Sequence, residues 1–143
     1  MHRRINRICH TMRDNRCLKE LKMEIKSFSE DFSICKVTDY SQVNLMDDFV
    51  FIGKTQDEAS LVCRTESVPD NTTHRDDGWK MMRLQGILDF SLIGILSKIS
   101  TVLAENKIGI FAISTFNTDY ILVKKTNYTD ALQALAQAGY TIV

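Results

Sequence analysis

Two stretches of the chain decide its fold: residues 86–96, with the sequence GILDFSLIGIL, and residues 113–123, with the sequence ISTFNTDYILV. The first stretch predicts the end of a strand that turns sharply into an amphipathic helix. The second stretch predicts a hydrophobic strand, a polar turn and another strand. Together the two stretches make up most of a small α/β unit.

Extending outward from these stretches, residues 79–143 predict six elements in the order βαββαβ. Strands are predicted at 79–85, 108–115, 119–124 and 140–143, and helices at 90–107 and 128–138. In the first helix, apolar residues recur every three or four positions, so one face must be buried. The run 108–113 is apolar at nearly every position, which is typical of a central strand that is covered on at least one face.

Both predicted helices carry capping signals at their ends. Asp89 or Ser91 is the expected N-cap of the first helix, because either side chain can accept a hydrogen bond from the free amides of the first turn. Asn127 is the expected N-cap of the second helix. Gly139 suits the left-handed position that follows its last turn.

These residues resemble a known family. The run LDFSL at 88–92, Gly94 and the run ISTFNTDY at 113–120 resemble the ACT domain. More narrowly, they are similar to short bacterial tandem-ACT proteins and to the ACT modules of the CASTOR arginine sensors. The resemblance implies an α+β, ferredoxin-like βαββαβ sandwich that pairs with another ACT unit and often binds an amino acid at the junction. The order of elements alone serves many unrelated functions.

The resemblance is strong over residues 79–143, weaker over 32–69 and absent before Met23. Residues 23–70 predict a truncated, strand-rich ACT-like half with strands at 32–37, 49–53 and 59–63 and at most a short helix within 39–48. Such a half cannot close a sandwich alone, so we expect its strands to join or face the sheet of the second half. Residues 68–78 are polar and contain the one proline, which predicts a loop between a partial unit (23–70) and a complete ACT unit (78–143).

The composition limits the classes of function. The chain has 143 residues, of which 44% are apolar and 25% charged, as in an ordinary globular domain, and its formal net charge of zero favours neither nucleic acid nor membrane as a partner. No stretch approaches the roughly 18 apolar residues of a spanning helix. The four cysteines show no CxxC spacing, so we expect reduced cysteines in a cytoplasmic protein.

Residues 1–22 differ from the rest of the chain, because seven basic and two acidic residues give them a net charge of +5. Three interpretations stay open: a basic arm for nucleic acid or acidic lipid, a targeting peptide, or a disordered extension upstream of the true start. We favour the extension, because the first segment that resembles a folded domain begins at Met23. Nucleic acid is therefore not an expected partner. The spacing of Cys9, His10 and Cys17 matches no zinc pattern.

The sequence shows no catalytic apparatus. Outside residues 1–22, the one combination of cysteine and histidine with nucleophile and base chemistry is Cys63 with His74, which we interpret as a buried inert thiol and a solvated loop histidine. The glycines form neither a dinucleotide-binding fingerprint nor a P-loop. We therefore predict that the protein is not an enzyme and uses neither a cofactor nor a metal.

A binding site has better support. Where a strand leads into a helix, free backbone amides and the positive end of the helix dipole can hold a carboxylate, and Gly94, expected in the first turn, permits close approach. The hydroxyl of Thr115, the ring of Phe116 and the carboxylate of Asp119 are expected to face that helix. The pattern suits a free amino acid, with its carboxylate on the amides and its ammonium group on Asp119.

The resemblance to the arginine sensors assigns the ligand pocket to six positions: Ile93, Gly94, Ile95, Thr115, Phe116 and Asp119. Simpler roles stay open for three of them. Gly94 also suits close packing of a helix on a sheet, Asp119 a turn, and Phe116 a core or an interface.

The sequence therefore predicts a non-enzymatic regulator of the ACT type that binds a free amino acid between ACT units and favours one pairing of those units. The alternative is a ligand-free ACT-type dimerisation or protein-interaction module. A homodimer is the expected assembly, because a truncated half leaves an exposed sheet edge and ACT sheets pair side by side. The sequence does not name a regulated protein partner.

Overall fold

A computed structural model of the chain describes residues 24–85 and 94–143. The predicted extension, residues 1–22, lies outside the described residues. So do the two expected caps of the first helix, Asp89 and Ser91, and the predicted site residue Ile93.

The described residues form one eight-stranded sheet and two α-helices. The strands are β1 (Glu24–Ser27), β2 (Phe32–Val37), β3 (Val50–Lys54), β4 (Ala59–Arg64), β5 (Thr72–Gln85), β6 (Phe111–Ser114), β7 (Asp119–Lys124) and β8 (Thr141–Ile142), and the helices are α1 (Ile95–Glu105) and α2 (Tyr128–Gln137). From β5 onward the elements follow the predicted order βαββαβ.

Strand β5, with 14 residues, organises the sheet. Along one edge it pairs with β2 and then with β1, and along the other edge residues from Trp79 to Arg83 pair with β7. The order is therefore β3-β4-β2-β5 in the first half and β6-β7-β5-β1-β8 in the second. All these pairs are antiparallel except β1 with β8. Strand β1 thus lies between β5 and β8.

The predicted loop at residues 68–78 is wrong from Thr72 onward, because Thr72 to Gly78 belong to β5. These residues show no apolar alternation, since most of their side chains are exposed. The ladder to β2 holds them instead. The division of the chain into units at 23–70 and 78–143 stays a prediction.

Residues 39–48, expected to hold at most a short helix, form turns and bends. One further prediction is corrected. The predicted central strand at 108–115 is shorter, Phe111–Ser114, and within the described sheet it pairs with β7 alone. The apolar run that begins at residue 108 is therefore only partly a strand. Ile108, which precedes the strand, is apolar because it packs in the core beneath the helices.

The two helices cover one face of the second half. Their buried residues pack on β5 and β7 in a cluster that we call the helix-covered core: Ile25, Met82, Leu84, Ile99, Leu103, Ile108, Ile121, Val123, Ala131 and Leu135. Gly139 follows α2 with a φ of 101°, as predicted. Asn127 occupies the N-cap position of α2, but its side chain makes no capping hydrogen bond.

The opposite face is rich in aromatic residues and joins the two halves. Phe32, Val62, Met81 and Leu122 are buried in this aromatic cluster. The ring centroids of Phe51 on β3 and Tyr120 on β7 lie 5.1 Å apart, although β4, β2 and β5 separate these strands in the sheet. The sheet therefore curls, and the first half both joins and faces the second half, as expected.

The two halves also share a repeat that the sequence analysis missed. Strand β4 begins at Ala59 and β7 at Asp119, 60 positions later, and both strands have six residues with the same pattern of burial. A short 3-10 helix follows each strand, at Thr65–Ser67 and at Lys125–Asn127. The turns before both strands begin with a threonine, Thr55 and Thr115. The first half is thus a version of the second half without α-helices.

Candidate functional site

The turn between β6 and β7 carries half of the predicted site. Both the amide and the hydroxyl of Thr115 donate to the carbonyl of Thr118, each at 2.8 Å. The amide of Thr118 donates back to the Thr115 hydroxyl at 3.3 Å. The hydroxyl proton of Thr115 is therefore committed to the turn, and its first role is to fix the position of the residues that follow.

The same turn is attached to β5. The hydroxyl of Thr118 donates to the carbonyl of Leu84, one residue before β5 ends at Gln85. From that end of β5 the chain leads toward α1. The hydrogen bond thus holds the turn at the end of the sheet where the predicted helix amides are expected.

Asp119 is the first residue of β7 and lies opposite Ser114. It is partly buried. Among residues 24–85 and 94–143 its carboxylate has no hydrogen-bond or ion-pair partner. A partly buried carboxylate normally has a partner, because removing a charge from water is costly. The predicted role of Asp119, binding an ammonium group, stays a prediction.

Gly94 lies immediately before α1, and not in its first turn as predicted. Its φ of 82° is left-handed, which a residue with a side chain rarely adopts. No described atom lies within 4 Å of the position of an added Cβ, so Gly94 does not serve close packing of α1 on the sheet. Glycine is required by the backbone turn, and no described residue fills the position that a Cβ would take.

The start of α1 can contribute backbone N–H groups to a site, whereas its first two side chains are turned to the core. The carbonyl of Gly94 accepts the amide of Lys98 at 2.9 Å, which closes the first turn. The amides of the first turn have no partner further back in the helix. The side chains of Ile95 and Leu96 pack against the helix-covered core. The part of Ile95 that fits the predicted site is therefore its backbone N–H, because its side chain belongs to the core.

Phe116 lies at the tip of the β6–β7 turn, with a relative exposure of 104%. Its ring therefore packs against nothing in the described part of a single chain. The predicted role of Phe116 as the wall of a pocket stays a prediction, and so does the common pocket for Gly94, Ile95, Thr115 and Asp119.

The described residues also line a cleft of about 370 Å³ in the first half, between residues 36–40 and 54–59. This cleft lies between the segment after β2 and the β3–β4 turn. By the 60-residue repeat, it is the topological counterpart of the predicted site. Its one signal in the sequence is the recurrence of a threonine-initiated turn at Thr55 and Thr115.

The other expected groups are placed as follows. His74 lies exposed in β5 and not in a loop. Cys63 is buried, 2% exposed. Within the described ranges, no three or more His, Cys, Asp and Glu side chains are grouped so that they could hold a metal ion. None of the described helices is long and apolar enough to cross a membrane.

Comparison with protein families identifies a match for part of the chain. Residues 74–137 match the family model of the ACT domain. This range contains β5 from His74, α1, the β6–β7 hairpin and α2. No curated protein sequence matches the chain.

Several solved structures are similar to the chain. Protein Atu0741 from Agobacterium tumefaciens superposes with a TM-score of 0.76 and 28% identity, over 85% of this chain and 92% of that one. Aspartate kinase from Clostridium acetobutylicum, described as an important allosteric enzyme, gives a TM-score of 0.65 and 14% identity over 82% of this chain and 35% of its own. The regulatory subunit of aspartate kinase from Thermus thermophilus gives a TM-score of 0.58 and 9% identity, over 82% of this chain and 98% of its own.

The last two likenesses show the fold alone, because their sequence identity is low. The mixed architecture of eight strands in one sheet with two helices matches these ferredoxin-like folds. The likeness covers 98% of the regulatory subunit and 35% of the Clostridium kinase chain.

Proposed function

We propose that this chain is a non-catalytic regulator of the ACT type that binds a free amino acid between ACT units. The observation that carries the proposal is the carboxylate of Asp119, partly buried and without a partner among the described residues. The match of residues 74–137 to the ACT domain supports the class of function. The likeness to a regulatory subunit supports the fold that such a function uses.

In this proposal the ligand is held at both charged ends. The carboxylate of the amino acid accepts the free amides at the start of α1, beside the open backbone of Gly94, where the helix dipole favours negative charge. The ammonium group donates to Asp119. A hydrogen bond to a charged group contributes about 1.5–3 kcal/mol, so loss of the Asp119 charge weakens binding by about 10- to 100-fold.

Regulation follows if the ligand binds one arrangement of ACT units more tightly than another. A ligand can shift such an equilibrium only by its difference in affinity for the two states. In this proposal the chain acts as a cytoplasmic homodimer, and Phe116 walls the ligand from one of the two units. The resemblance to arginine sensors makes arginine a natural member of any ligand panel.

One observation favours the second candidate, a ligand-free dimerisation or protein-interaction module. Phe116 is fully exposed at the tip of a hairpin, beside β6, which pairs with one neighbour only among the described strands. An exposed aromatic side chain next to a sheet edge is typical of a surface that another chain covers.

A thermal-shift panel of the twenty common amino acids on the full chain tests the proposal. A ligand at 100 times its Kd stabilises the folded state by about 2.7 kcal/mol, so at least one amino acid should raise the unfolding midpoint. At the same ligand concentration, Asp119→Asn should lower the stabilisation to about 0.4–1.4 kcal/mol, as a 10- to 100-fold loss of affinity requires. Asp57→Asn, which changes an exposed carboxylate in the equivalent turn of the first half, is the matched control and should retain the full stabilisation. If no amino acid stabilises the protein, the regulator proposal is wrong and the ligand-free interaction module is the remaining candidate.

A further inference from the structure

Two cysteines lie close together in the first half. Strands β2 and β4 are antiparallel neighbours, with Cys35 opposite Leu61 and Ser33 opposite Cys63. Cys35 and Cys63 are thus diagonal neighbours on one face of the sheet. Each is 2% exposed and carries a free thiol. We call these two residues the thiol pair.

Charged and polar side chains adjoin the thiol pair. Arg75 on β5 is the register partner of Cys35, so its side chain leaves the sheet on the same face. Arg75 pairs with Asp77 at 3.1 Å, and the fully buried Ser33 donates to Asp77 at 2.5 Å. The hydrogen bond from Ser33 holds the pKa of Asp77 below its usual value. The thiol pair therefore lies beside fixed charge, unlike a cysteine that only fills an apolar core.

The spacing of the pair favours a bridging ion over a disulfide. A disulfide requires Cα atoms about 4.4–6.8 Å apart, whereas diagonal neighbours on antiparallel strands lie about 7–8 Å apart. An ion between the sulfurs widens the span, because each metal–thiolate bond adds about 2.3 Å. Thiolates select soft ions. The described residues offer no third His, Cys, Asp or Glu ligand at this point, which excludes a four-ligand zinc site built from them.

The geometry points to a metal site that the sequence analysis did not foresee: Cys35 and Cys63 bind one soft monovalent ion of the Cu(I) class in two-coordinate geometry. Binding releases the two S–H protons and forms two metal–sulfur bonds, and the oxidation state of the metal does not change. Two thiolates and one monovalent cation leave one negative charge. The guanidinium of Arg75, the register partner of Cys35, lowers the cost of that charge, although it also pairs with the half-exposed Asp77.

The segment between β2 and β3 gives a metal ion access to the buried thiol pair. Residues 38–49 contain neither helix nor strand, and Tyr40 and Val43 from this segment pack against the cluster that holds both thiols. A segment without regular structure opens locally at lower free energy than the sheet beneath it. An ion therefore reaches the thiol pair without unfolding of the strands. The site does not depend on the proposed amino acid ligand.

The test uses the full chain with Cys9→Ser and Cys17→Ser, so that the thiol pair provides the only cysteines. The reduced protein is titrated anaerobically with Cu(I) against a chromogenic Cu(I) chelator. We expect one Cu(I) per chain and two sulfur neighbours by X-ray absorption. Cys35→Ala or Cys63→Ala should weaken the affinity by more than about 100-fold, because loss of a ligand exceeds the 10- to 100-fold effect of its outer partners.

A matched control separates loss of the site from loss of the fold. Val62→Ala removes buried methyl groups from the strand that carries Cys63 but retains both thiols, so it should bind Cu(I) as the parent does. The metal site is refuted if the parent does not compete with the chelator, if Cys63→Ala binds equally well, or if Zn(II) binds as tightly as Cu(I).

Discussion

Single side chains complete the backbone hydrogen bonds where the sheet changes direction, and Tyr128 is the clearest case. Its hydroxyl donates to the carbonyl of Met81 at 2.8 Å and accepts the amide of Phe28 at 3.2 Å. Phe28 lies between β1 and β2, where the pairing with β5 is interrupted. One side chain of α2 thus satisfies two backbone groups and attaches the helix to the sheet. Burial raises the pKa of Tyr128, which agrees with a hydroxyl held in its neutral form.

We expect Tyr128→Phe to lower the free energy of unfolding by about 1 kcal/mol, the net value of a typical hydrogen bond. The loss is limited because the amide of Phe28 also reaches the carbonyl of Met81, at 3.3 Å. Urea denaturation at neutral pH measures the change. Tyr120→Phe is the control, since the described residues give the Tyr120 hydroxyl no hydrogen-bond partner. Equal effects of the two substitutions would contradict the bridging role.

At the scale of single residues, the sequence located some groups of the candidate site better than others. Thr115 begins the predicted turn and Asp119 begins the predicted strand, because turn residues and strand residues differ in local chemistry. Gly94 was expected to make room for a neighbour, but its left-handed backbone is the reason for glycine. The exposure of Phe116 depends on distant contacts, which no local pattern reports.

At the scale of elements, the hydrophobic pattern fails to predict the first seven residues of β5, Thr72 to Gly78. Its first residues pair with β2 from Val37↔Thr72 to Phe32↔Trp79 while their side chains are mostly exposed. Polar neighbours stabilise these exposed side chains, as when Lys124 contacts Asp76 at 2.5 Å and stands 4.5 Å from the centre of the Trp79 ring. A strand that is stabilised by backbone hydrogen bonds to its neighbour and by surface charges shows no apolar alternation, so its sequence does not identify it as a strand.

Proline substitution distinguishes a strand from a loop over residues 72–78. Successive N–H groups of a strand point to opposite edges, so either His74→Pro or Arg75→Pro must remove a ladder bond to β2. We expect the more damaging of the two to cost roughly 1–3 kcal/mol of unfolding free energy. Asp70→Pro, which precedes the strand, is the control and should cost less. Thermal unfolding followed by circular dichroism measures these changes. Equal effects of all three substitutions would contradict the strand and indicate a loop at residues 72–78.

At the scale of the whole molecule, the chain consists of two unequal copies of one plan. The β4 and β7 segments agree in length, burial and the 3-10 helix that follows. The copies differ where the proposed ligand binds. Ala59 occupies the position of Asp119, Gln56 that of Phe116, and no helix follows β2. The first half therefore lacks both the carboxylate and the helix amides.

From this difference we expect one amino acid per chain. Isothermal titration of the full chain with the amino acid that stabilises it should give a stoichiometry of one, in monomer or dimer. A value of two would show that the cleft at residues 36–40 and 54–59 also binds the ligand, and the argument from Ala59 would be wrong. Absence of any heat or stabilisation would instead count against the proposed function itself.

The sequence by itself determined the order βαββαβ, the bounds of β7 and the left-handed Gly139, because amphipathic period, turn chemistry and glycine preference are local properties. Only the tertiary structure decided that residues 72–78 extend β5, that β1 inserts between β5 and β8, and that the sheet curls over its aromatic face. The physical reason is the range of the interactions. A four-residue strand and a polar strand are stabilised by backbone partners tens of residues away, as in Ile25↔Leu84 and Ile25↔Ile142.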